Sequence, residues 1–466
     1  MRQFRLGELA DAMNGKLIGG DPNSIVTNFA IDSREAATGS LFFALTGERT
    51  DGHNYLPQVM AGGAVGAVVH RQQKGDLLPQ ILVDDTRLAM GRMAKWYRKQ
   101  FDVKVLGVTG STGKTSAKEM LAAALGVQYS VLKNEGNLNT EVGLPLTLMG
   151  LEKEHEVAVL EMAMRGKGQI EWLVEVSQPQ LGLITNIGIS HMELLGSRDG
   201  IAEAKSELLQ ALPADGIAIL PRDDDYFEFM RKLAPSEVIT FGIHPEADVR
   251  VMEANLTDEG ETECRFSLKG KRFYLLLPVL GKHHAMNAAA ALAGAIALKV
   301  DPEPALDGLK DVRLPAMRME VLRGNGLILI LDAYNANPQS MNAALQTLGE
   351  MSHGRRTIAI LGDMAELGSL SEQGHREVGQ TVAQVLPDQL ITLGSKAKLI
   401  AEVAKENGYP SSKIILTDEL TETSQAVEVL AQENDLILIK GSRVLEMERI
   451  AEQLLGQKIS SKGEAL

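Results

Sequence analysis

Cysteine is almost missing from this chain: among 466 residues there is one, Cys264. A single thiol excludes a disulfide framework and any zinc site built on cysteines. Positive charge is also scarce, with 47 Lys and Arg against 61 Asp and Glu and a net charge of −14. Proteins that grip a phosphate backbone carry basic faces, so no nucleic-acid partner is expected. Small anionic substrates, which need only a local positive pocket, stay open. No run is long and apolar enough to span a bilayer, and the best candidate, 285–298, is largely alanine and reads as a packed helix. Met1-Arg2-Gln3-Phe4-Arg5-Leu6 is followed by acids and not by an apolar stretch, so no secretory signal is expected and the cytoplasm is the expected location. Internal repeats and low-complexity linkers are absent too.

What is present is concentrated in Val108-Thr109-Gly110-Ser111-Thr112-Gly113-Lys114-Thr115. Residues 103–106 read as a strand leading into it, and 116–125 as a helix leaving it, with Met120, Leu121 and Leu125 on one side. A glycine-rich turn between strand and helix aims backbone N–H groups and the helix N-terminus at one point, which suits phosphate oxygens. Lys114 adds a charge toward the β/γ-phosphates, and the Thr115 hydroxyl can ligate Mg²⁺. The spacing departs from the common G-x-x-x-x-G-K-[ST], because Val108 stands where its first glycine falls and Gly110 comes two residues later. The reading is a nucleoside triphosphate site lined by Thr109, Gly110, Ser111, Thr112, Gly113, Lys114 and Thr115.

At roughly 150 residues per domain the length suggests three domains, expected at 1–84, 85–314 and 315–466. The fold class is α/β. The first domain reads as a small α/β unit with strands at 42–45, 64–69 and 80–83. From about Val103, apolar strands each run into polar residues. The strand 157–160 ends in Glu161, 181–184 leads to Asn186 and His191, and 217–220 leads to Asp223, Asp224 and Asp225. Helical stretches separate them, as in a parallel sheet with crossover helices, where ligands gather at the carboxyl ends of strands. Residues 248–277 alternate polar and apolar and read as a β excursion. After Leu314-Pro315 a Rossmann-like, doubly wound domain is expected, with strands at 327–331, 357–361, 389–392, 414–416 and 436–439. It holds no G-x-G-x-x-G, so no dinucleotide site is expected.

Magnesium on a triphosphate prefers hard oxygen ligands. Thr115 supplies one, and Glu161, at a strand tip beside the loop, is the candidate for a second. His191 follows a strand of the same sheet and reads equally as a ligand or as a hydrogen-bonded loop residue. Lys205, on a helix at 201–212, reads from the residues alone as a solvated lysine.

The order of these pieces closely resembles the Mur ligases, ATP-dependent amide-forming enzymes of peptidoglycan precursor synthesis, over essentially the whole chain. Thr109-Gly-Ser-Thr-Gly-Lys-Thr115 is similar to their phosphate loop, including its displaced glycine. Glu161-Met-Ala and 186–191 resemble their magnesium-binding segments. Ala202-Glu-Ala-Lys205-Ser-Glu207 resembles the segment whose lysine is carbamylated in several members, so the resemblance implies two magnesium ions held by Thr115, Glu161, His191 and a carbamylated Lys205. His191 would ligate the second ion or act near the incoming amine, and the family favours the ion. The segment 281–291 with Asn287 resembles the adenine pocket. Leu314-Pro-Ala-Met-Arg318-Met-Glu320 resembles the join to the last domain, whose arginine reaches the ATP phosphates, and Asp332 matches an acid that contacts the nucleotide. On this resemblance Lys114, His191, Lys205 and Arg318 carry the catalysis.

Two further stretches, Asp332-Ala-Tyr334-Asn335-Ala-Asn337-Pro338-Gln-Ser340-Met341 and Leu361-Gly-Asp363-Met364-Ala-Glu366-Leu367-Gly368 with His375 following, resemble the members that add D-alanyl-D-alanine. Asp32-Ser33-Arg34, Gly39, Leu41-Phe42 and Asp51-Gly52-His53 resemble their UDP-sugar domain. No Asp-Asn-Pro-Arg occurs, the motif of the neighbouring ligase that adds diaminopimelate or lysine. Thr140 in Gly136-Asn137-Leu-Asn139-Thr140 stands where this subgroup usually has a third Asn. The implied substrates are ATP, UDP-N-acetylmuramoyl-tripeptide and D-Ala-D-Ala, with Ser33, Arg34, Asn137, Asn139, Thr140, Tyr334, Asn335, Asn337 and Ser340 as substrate contacts. For Asn335, Asn337 and Ser340 loop capping is the competing role. A monomer is expected, with closure of the last domain about 314–319. A folylpolyglutamate synthetase type shares the central plan but lacks the UDP-sugar domain, and a regulatory ATP switch would hydrolyse ATP without the dipeptide.

Overall fold

The computed structural model describes residues 3–47, 50–75, 78–189, 192–235 and 237–459. Besides a short ribbon of Phe4–Arg5 with Ile25–Val26, the strands form three sheets from three successive stretches of chain. The first has five strands, in the order Lys16–Ile18, Gln80–Leu82, Gly66–Val69, Ser40–Phe43, Asn28–Ala30. All four pairings are parallel except the one made by Lys16–Ile18. Ser40–Phe43 and Gly66–Val69 are buried at every position, as strands covered on both faces must be.

Helix Thr86–Arg98 joins this sheet to the next. Asp85 caps it by accepting from the N–H groups of Arg87 and Leu88 at 2.7 and 2.9 Å. Its inward side chains Met90, Met93 and Tyr97 belong to one core with Phe4 and Phe29 on one side and Leu144 and Leu173 on the other. Tyr97 meets Phe4 and Phe29 edge-on at 5.2 and 5.9 Å and donates its hydroxyl to Leu151 O at 2.9 Å. The first two units are therefore packed through a shared apolar core.

The second sheet has nine strands. Seven are parallel, in the order Val131–Lys133, Val157–Glu161, Lys104–Thr109, Leu181–Ile184, Ile217–Pro221, Glu237–Gly242, Val249–Leu256. Thr262–Leu268 and Lys271–Leu277 follow antiparallel. The alternating stretch expected as an excursion thus extends the sheet itself, and helix His283–Ala297 covers its inner face with a row of buried alanines. Small side chains let that helix lie close to helix Lys114–Gly126: a Cβ on Gly294 would stand 2.6 Å from Leu121 Cδ1. The register sets Glu161 opposite Val108 and Ile184 opposite Thr109, so three strand ends converge where the glycine-rich turn begins.

The third sheet runs Glu320–Gly324, Leu327–Asp332, Leu436–Lys440, Thr357–Gly362, Gln389–Leu393, Ile414–Thr417. Five strands are parallel, as expected from the sequence. The edge strand Glu320–Gly324 is antiparallel and was not expected. It returns through Asn325-Gly326, with φ of 50° and 75°, the two-residue turn whose backbone twist suits a hairpin. The Gly-Asn-Gly at 324–326 was the available signal.

Candidate active site

Gly110 and Gly113 have φ of 151° and 77°. A Cβ on the first would lie 1.8 Å from Thr185 Oγ1, and on the second 2.5 Å from Asn287 Oδ1, so neither position accepts a side chain. Residues that follow the neighbouring strand clamp the turn. Thr112 N donates to Asn186 Oδ1 at 3.1 Å, and Asn186 Nδ2 donates back to Thr112 Oγ1 at 2.8 Å. Thr185 Oγ1 donates to Thr112 O at 2.6 Å, and Gly188 N donates to Ser111 Oγ at 2.8 Å. The loop is thereby held by the protein's own hydrogen bonds, and Asn186 spends its amide on it.

Lys114, half-buried at the helix start, donates to Gly110 O at 2.9 Å. Burial lowers its pKa, the Arg318 charge adds to that, and Glu161 and Glu366 oppose it. Lys205 lies on helix Arg198–Gln210 and is 1% exposed, where the residues alone read a solvated lysine. The helix turns this face into the core beside buried Ala202 and Leu209, which carries Nζ to Gly110 O at 2.9 Å. Burial, and then the Lys114 charge, hold Lys205 well below the ordinary lysine range.

Glu161 is 2% exposed at its strand tip. Oε1 accepts from Asn139 Nδ2 at 2.8 Å, and Oε2 is buried with no hydrogen-bond partner among the described residues. Thr115, 5% exposed, sits one residue past Lys114 on the first helical turn. A hydroxyl and an unpartnered carboxylate oxygen beside a phosphate loop are a hard-oxygen set that fits Mg²⁺ held partly by substrate phosphates. No group of three or more His, Cys, Asp and Glu that could hold a metal occurs among the described residues. His191, the expected ligand of a second ion, lies outside the described residues.

The glycine-rich loop opens onto a cavity of about 930 Å³. Asn137, Asn139 and Thr140 line it on the central side, and Arg318, Asp332, Tyr334, Asn335, Asn337 and Ser340 on the C-terminal side. Arg318 is framed by Met317 and Met319, whose φ of 61° and 52° are left-handed, and its guanidinium lies 4.2 Å over the Tyr334 ring. Its Nε is buried without a partner among the described residues. Asn287 Nδ2 and His284 Nδ1 are 3.2 Å apart beside Gly113. Burial first, and then the His283 and Arg318 charges, push the His284 pKa well below the ordinary histidine value.

Not every expected residue reaches this cavity. Ser33 donates to Gln58 Oε1 at 3.2 Å and Arg34 is paired with Asp32. Both are in the N-terminal unit, and neither lines the cavity. Asn337 and Ser340 face it but are engaged in capping helix Pro338–Met351: Ser340 N donates to Asn337 Oδ1 at 2.9 Å, and Asn337 N to Ser340 Oγ at 3.1 Å. Sequence reading missed Lys440, 1% exposed, which donates to Asp332 Oδ2 at 2.6 Å and Asn335 O at 3.0 Å. Its signal was a charged residue ending the apolar strand Leu436–Lys440. Arg87, Asp223 and Glu366 also line the cavity.

A phosphate loop in a parallel sheet, closed over by a Rossmann-like domain, is the architecture of a three-domain ATP-dependent ligase. Residues 25–98, 108–295 and 317–443 match, in turn, the Mur ligase family catalytic domain, the Mur ligase middle domain and the Mur ligase glutamate ligase domain. The chain belongs to the Mur ligase family. It is 37% identical over 442 residues to the UDP-N-acetylmuramoyl-tripeptide–D-alanyl-D-alanine ligase of Bacillus subtilis, covering 94% of this chain and 95% of the relative. The Escherichia coli protein of the same name is 35% identical, covering 97% and 99%. Among solved structures, MurF from Acinetobacter baumannii superposes with a TM-score of 0.90 at 32% identity, covering 98% of this chain and all of that one. MurF from Thermotoga maritima in complex with ADP gives 0.81 at 28%, covering 93% and 98%. A folylpolyglutamate synthase from Mycobacterium tuberculosis, at 18% identity and a TM-score of 0.63, covers 80% of this chain and 95% of that one, and shares the fold.

Proposed function

We propose that this chain is an ATP-dependent amide ligase that joins D-alanyl-D-alanine to UDP-N-acetylmuramoyl-tripeptide, in cytoplasmic peptidoglycan precursor synthesis. The observation that carries the reading is that the phosphate loop and the Asp332–Ser340 stretch line the same cavity. A nucleotide at the loop and an amine at 332–340 would therefore share one space.

A carboxylate is a poor acyl donor because oxide is a poor leaving group. In this reading the terminal carboxylate of the tripeptide attacks the γ-phosphate of ATP, giving an acyl phosphate and ADP. Lys114 and Arg318 face the charge that spreads over the transferring phosphoryl oxygens. The amine of D-Ala-D-Ala then attacks the acyl carbon, and phosphate leaves. Asn287 and Asp332 serve the nucleotide. Ser33 and Arg34 serve the UDP-sugar, and Asn137, Asn139 and Thr140 the peptide arm. Tyr334 and Asn335 serve the dipeptide, with Asn337 and Ser340 shaping its loop. Magnesium, when bound, supplies positive charge against the phosphate oxygens. Thr115 and Glu161 would hold one ion, and His191 with a carbamylated Lys205 a second. The acyl phosphate must be kept from water, so the left-handed residues 317 and 319 are read as the place where the last domain swings. The enzyme acts as a monomer on soluble substrates, and no helix of the described residues is long and apolar enough to cross a membrane.

The test is phosphate release from ATP with UDP-tripeptide, with and without D-Ala-D-Ala. Turnover that needs both substrates supports the ligase, and dipeptide-independent hydrolysis overturns it.

A further inference from the structure

We infer that Asn134 is a positioning residue that presents the Glu161 carboxylate to the nucleotide-bound cation, and that it ties that carboxylate to the substrate loop. The inference rests on the reading of Glu161 as a magnesium ligand. Backbone pairing between strands Val131–Lys133 and Val157–Glu161 stops at Lys133 opposite Val159. One residue on, the Asn134 side chain, on a residue 1% exposed, replaces the ladder. Its Oδ1 accepts from Glu161 N at 2.9 Å, while Nδ2 donates to Glu161 O at 3.0 Å and to Leu138 O at 2.9 Å. Both amide hydrogens and the carbonyl are used.

This exchange lets the chain leave the sheet two residues early while Glu161 is still gripped at both of its main-chain polar groups. The freed segment curls so that Asn139 Nδ2 reaches Glu161 Oε1 at 2.8 Å. Asn139 O in turn accepts from Ala163 N at 2.9 Å. One carboxylate oxygen is thereby occupied from the substrate loop, and Oε2 is left for a ligand. The third tie runs to the phosphate-loop helix. Lys118, one helical turn past Lys114 and fully buried, donates to Asn134 O and pairs with Glu119 at 3.0 Å. Asn134 therefore links three parts that must agree in position: the helix behind the phosphate loop, the carboxylate and the loop bearing Asn137 and Asn139. A buried asparagine that only satisfied stray backbone groups would need no such convergence on Glu161.

The test measures ADP affinity of the full chain by titration calorimetry, in excess MgCl₂ and in EDTA, for wild type, Glu161→Gln, Asn134→Ala and the near-isosteric Asn134→Asp. The readout is the gain in affinity that magnesium confers. Groups that orient a metal ligand are typically worth roughly 10–100-fold in metal affinity, so both Asn134 variants should lose about that much of the gain while keeping wild-type affinity in EDTA. Should Asn134→Ala not fold, Asn134→Asp carries the test. A full magnesium gain in the Asn134 variants, or an equal loss with and without magnesium, overturns the positioning role. A full gain in Glu161→Gln instead removes the reading of Glu161 itself, and the inference with it.

Discussion

Lys114 and Lys205 donate to the same acceptor, the carbonyl oxygen of Gly110, each at 2.9 Å. One comes from the helix that follows the loop, Lys114–Gly126, and the other from helix Arg198–Gln210. Two ammonium groups on one carbonyl repel, and Lys205 is the more deeply buried. Burial first, and the Lys114 charge second, favour its neutral amine. A neutral amine can capture CO₂, and the resulting carbamate would face Lys114 as an opposite charge. The Lys114 charge that penalises an ammonium at this place would favour a carboxylate, whereas burial opposes either charge.

If that carbamate forms, Lys205→Ala should lose activity because one ligand of the second magnesium is missing. Acetate or formate should then restore part of the rate, increasingly with concentration, by occupying the vacated space. Near-wild-type turnover of the unsupplemented variant would sink the idea. The assay is phosphate release with both substrates over a carboxylate series.

Lys114→Ala should lower the rate by roughly 10²–10³, the usual loss when one charge-stabilising donor is removed from a reacting group. The fold should survive, since the side chain sits at the cavity wall and donates to Gly110 O, with no other hydrogen bond among the described residues. Retention of more than about a tenth of the wild-type rate with an unchanged melting curve contradicts the assignment.

The strands were legible in the sequence where burial on both faces makes continuous apolar runs. Leu181–Ile184 coincides with the expected range, and the strands that end in Glu161, Asp332 and Lys440 each run one residue beyond theirs. Those terminal residues are where the site lies, and apolar periodicity carries no information about them. The phosphate loop was legible because its glycines are forced by Thr185 and Asn287, which stand against their Cα atoms. Lys205 was not, because a lysine on a helix is solvated unless tertiary packing turns its face inward. Asn134 was not, because its role exists only once two strands are paired. The edge strand Glu320–Gly324 was missed because it is short, none of its positions is fully buried and it carries no long apolar run, and the five parallel strands already made a complete pattern.

Lys440 is 1% exposed and its nearest carboxylate is Asp332, at 2.6 Å. Lys440→Met should leave that carboxylate without its counter-ion and destabilise the C-terminal domain by about 3 kcal/mol, the lower end for breaking a buried pair because Asp332 keeps some solvent contact. Asp332→Asn in the same chain should recover most of that stability, since neither charge then remains. ADP affinity should stay low in the double variant if Asp332 serves the nucleotide. Urea titrations and calorimetry separate the two effects, and a Lys440→Met variant as stable as wild type contradicts the pairing.

His284 gives a pH dependence whose sign follows from its burial. Its pKa is pushed well below the ordinary histidine value, by burial first and by the His283 and Arg318 charges after that. Between that lowered value and about 6.5, the unfolded chain binds a proton that the folded chain refuses. Stability therefore rises with pH through this window, is complete above it, and falls as the medium is acidified below about pH 6.5. One proton changes stability by at most about 1.4 kcal/mol per pH unit. His284→Asn removes the titrating group while keeping an amide that can meet Asn287, so the variant should lose less stability than wild type between pH 7 and pH 5. Urea unfolding across that range measures the difference directly. Parallel curves would mean that His284 takes up its proton equally well in the folded chain, and that the pocket between Gly113 and Arg318 is wetter than its burial implies.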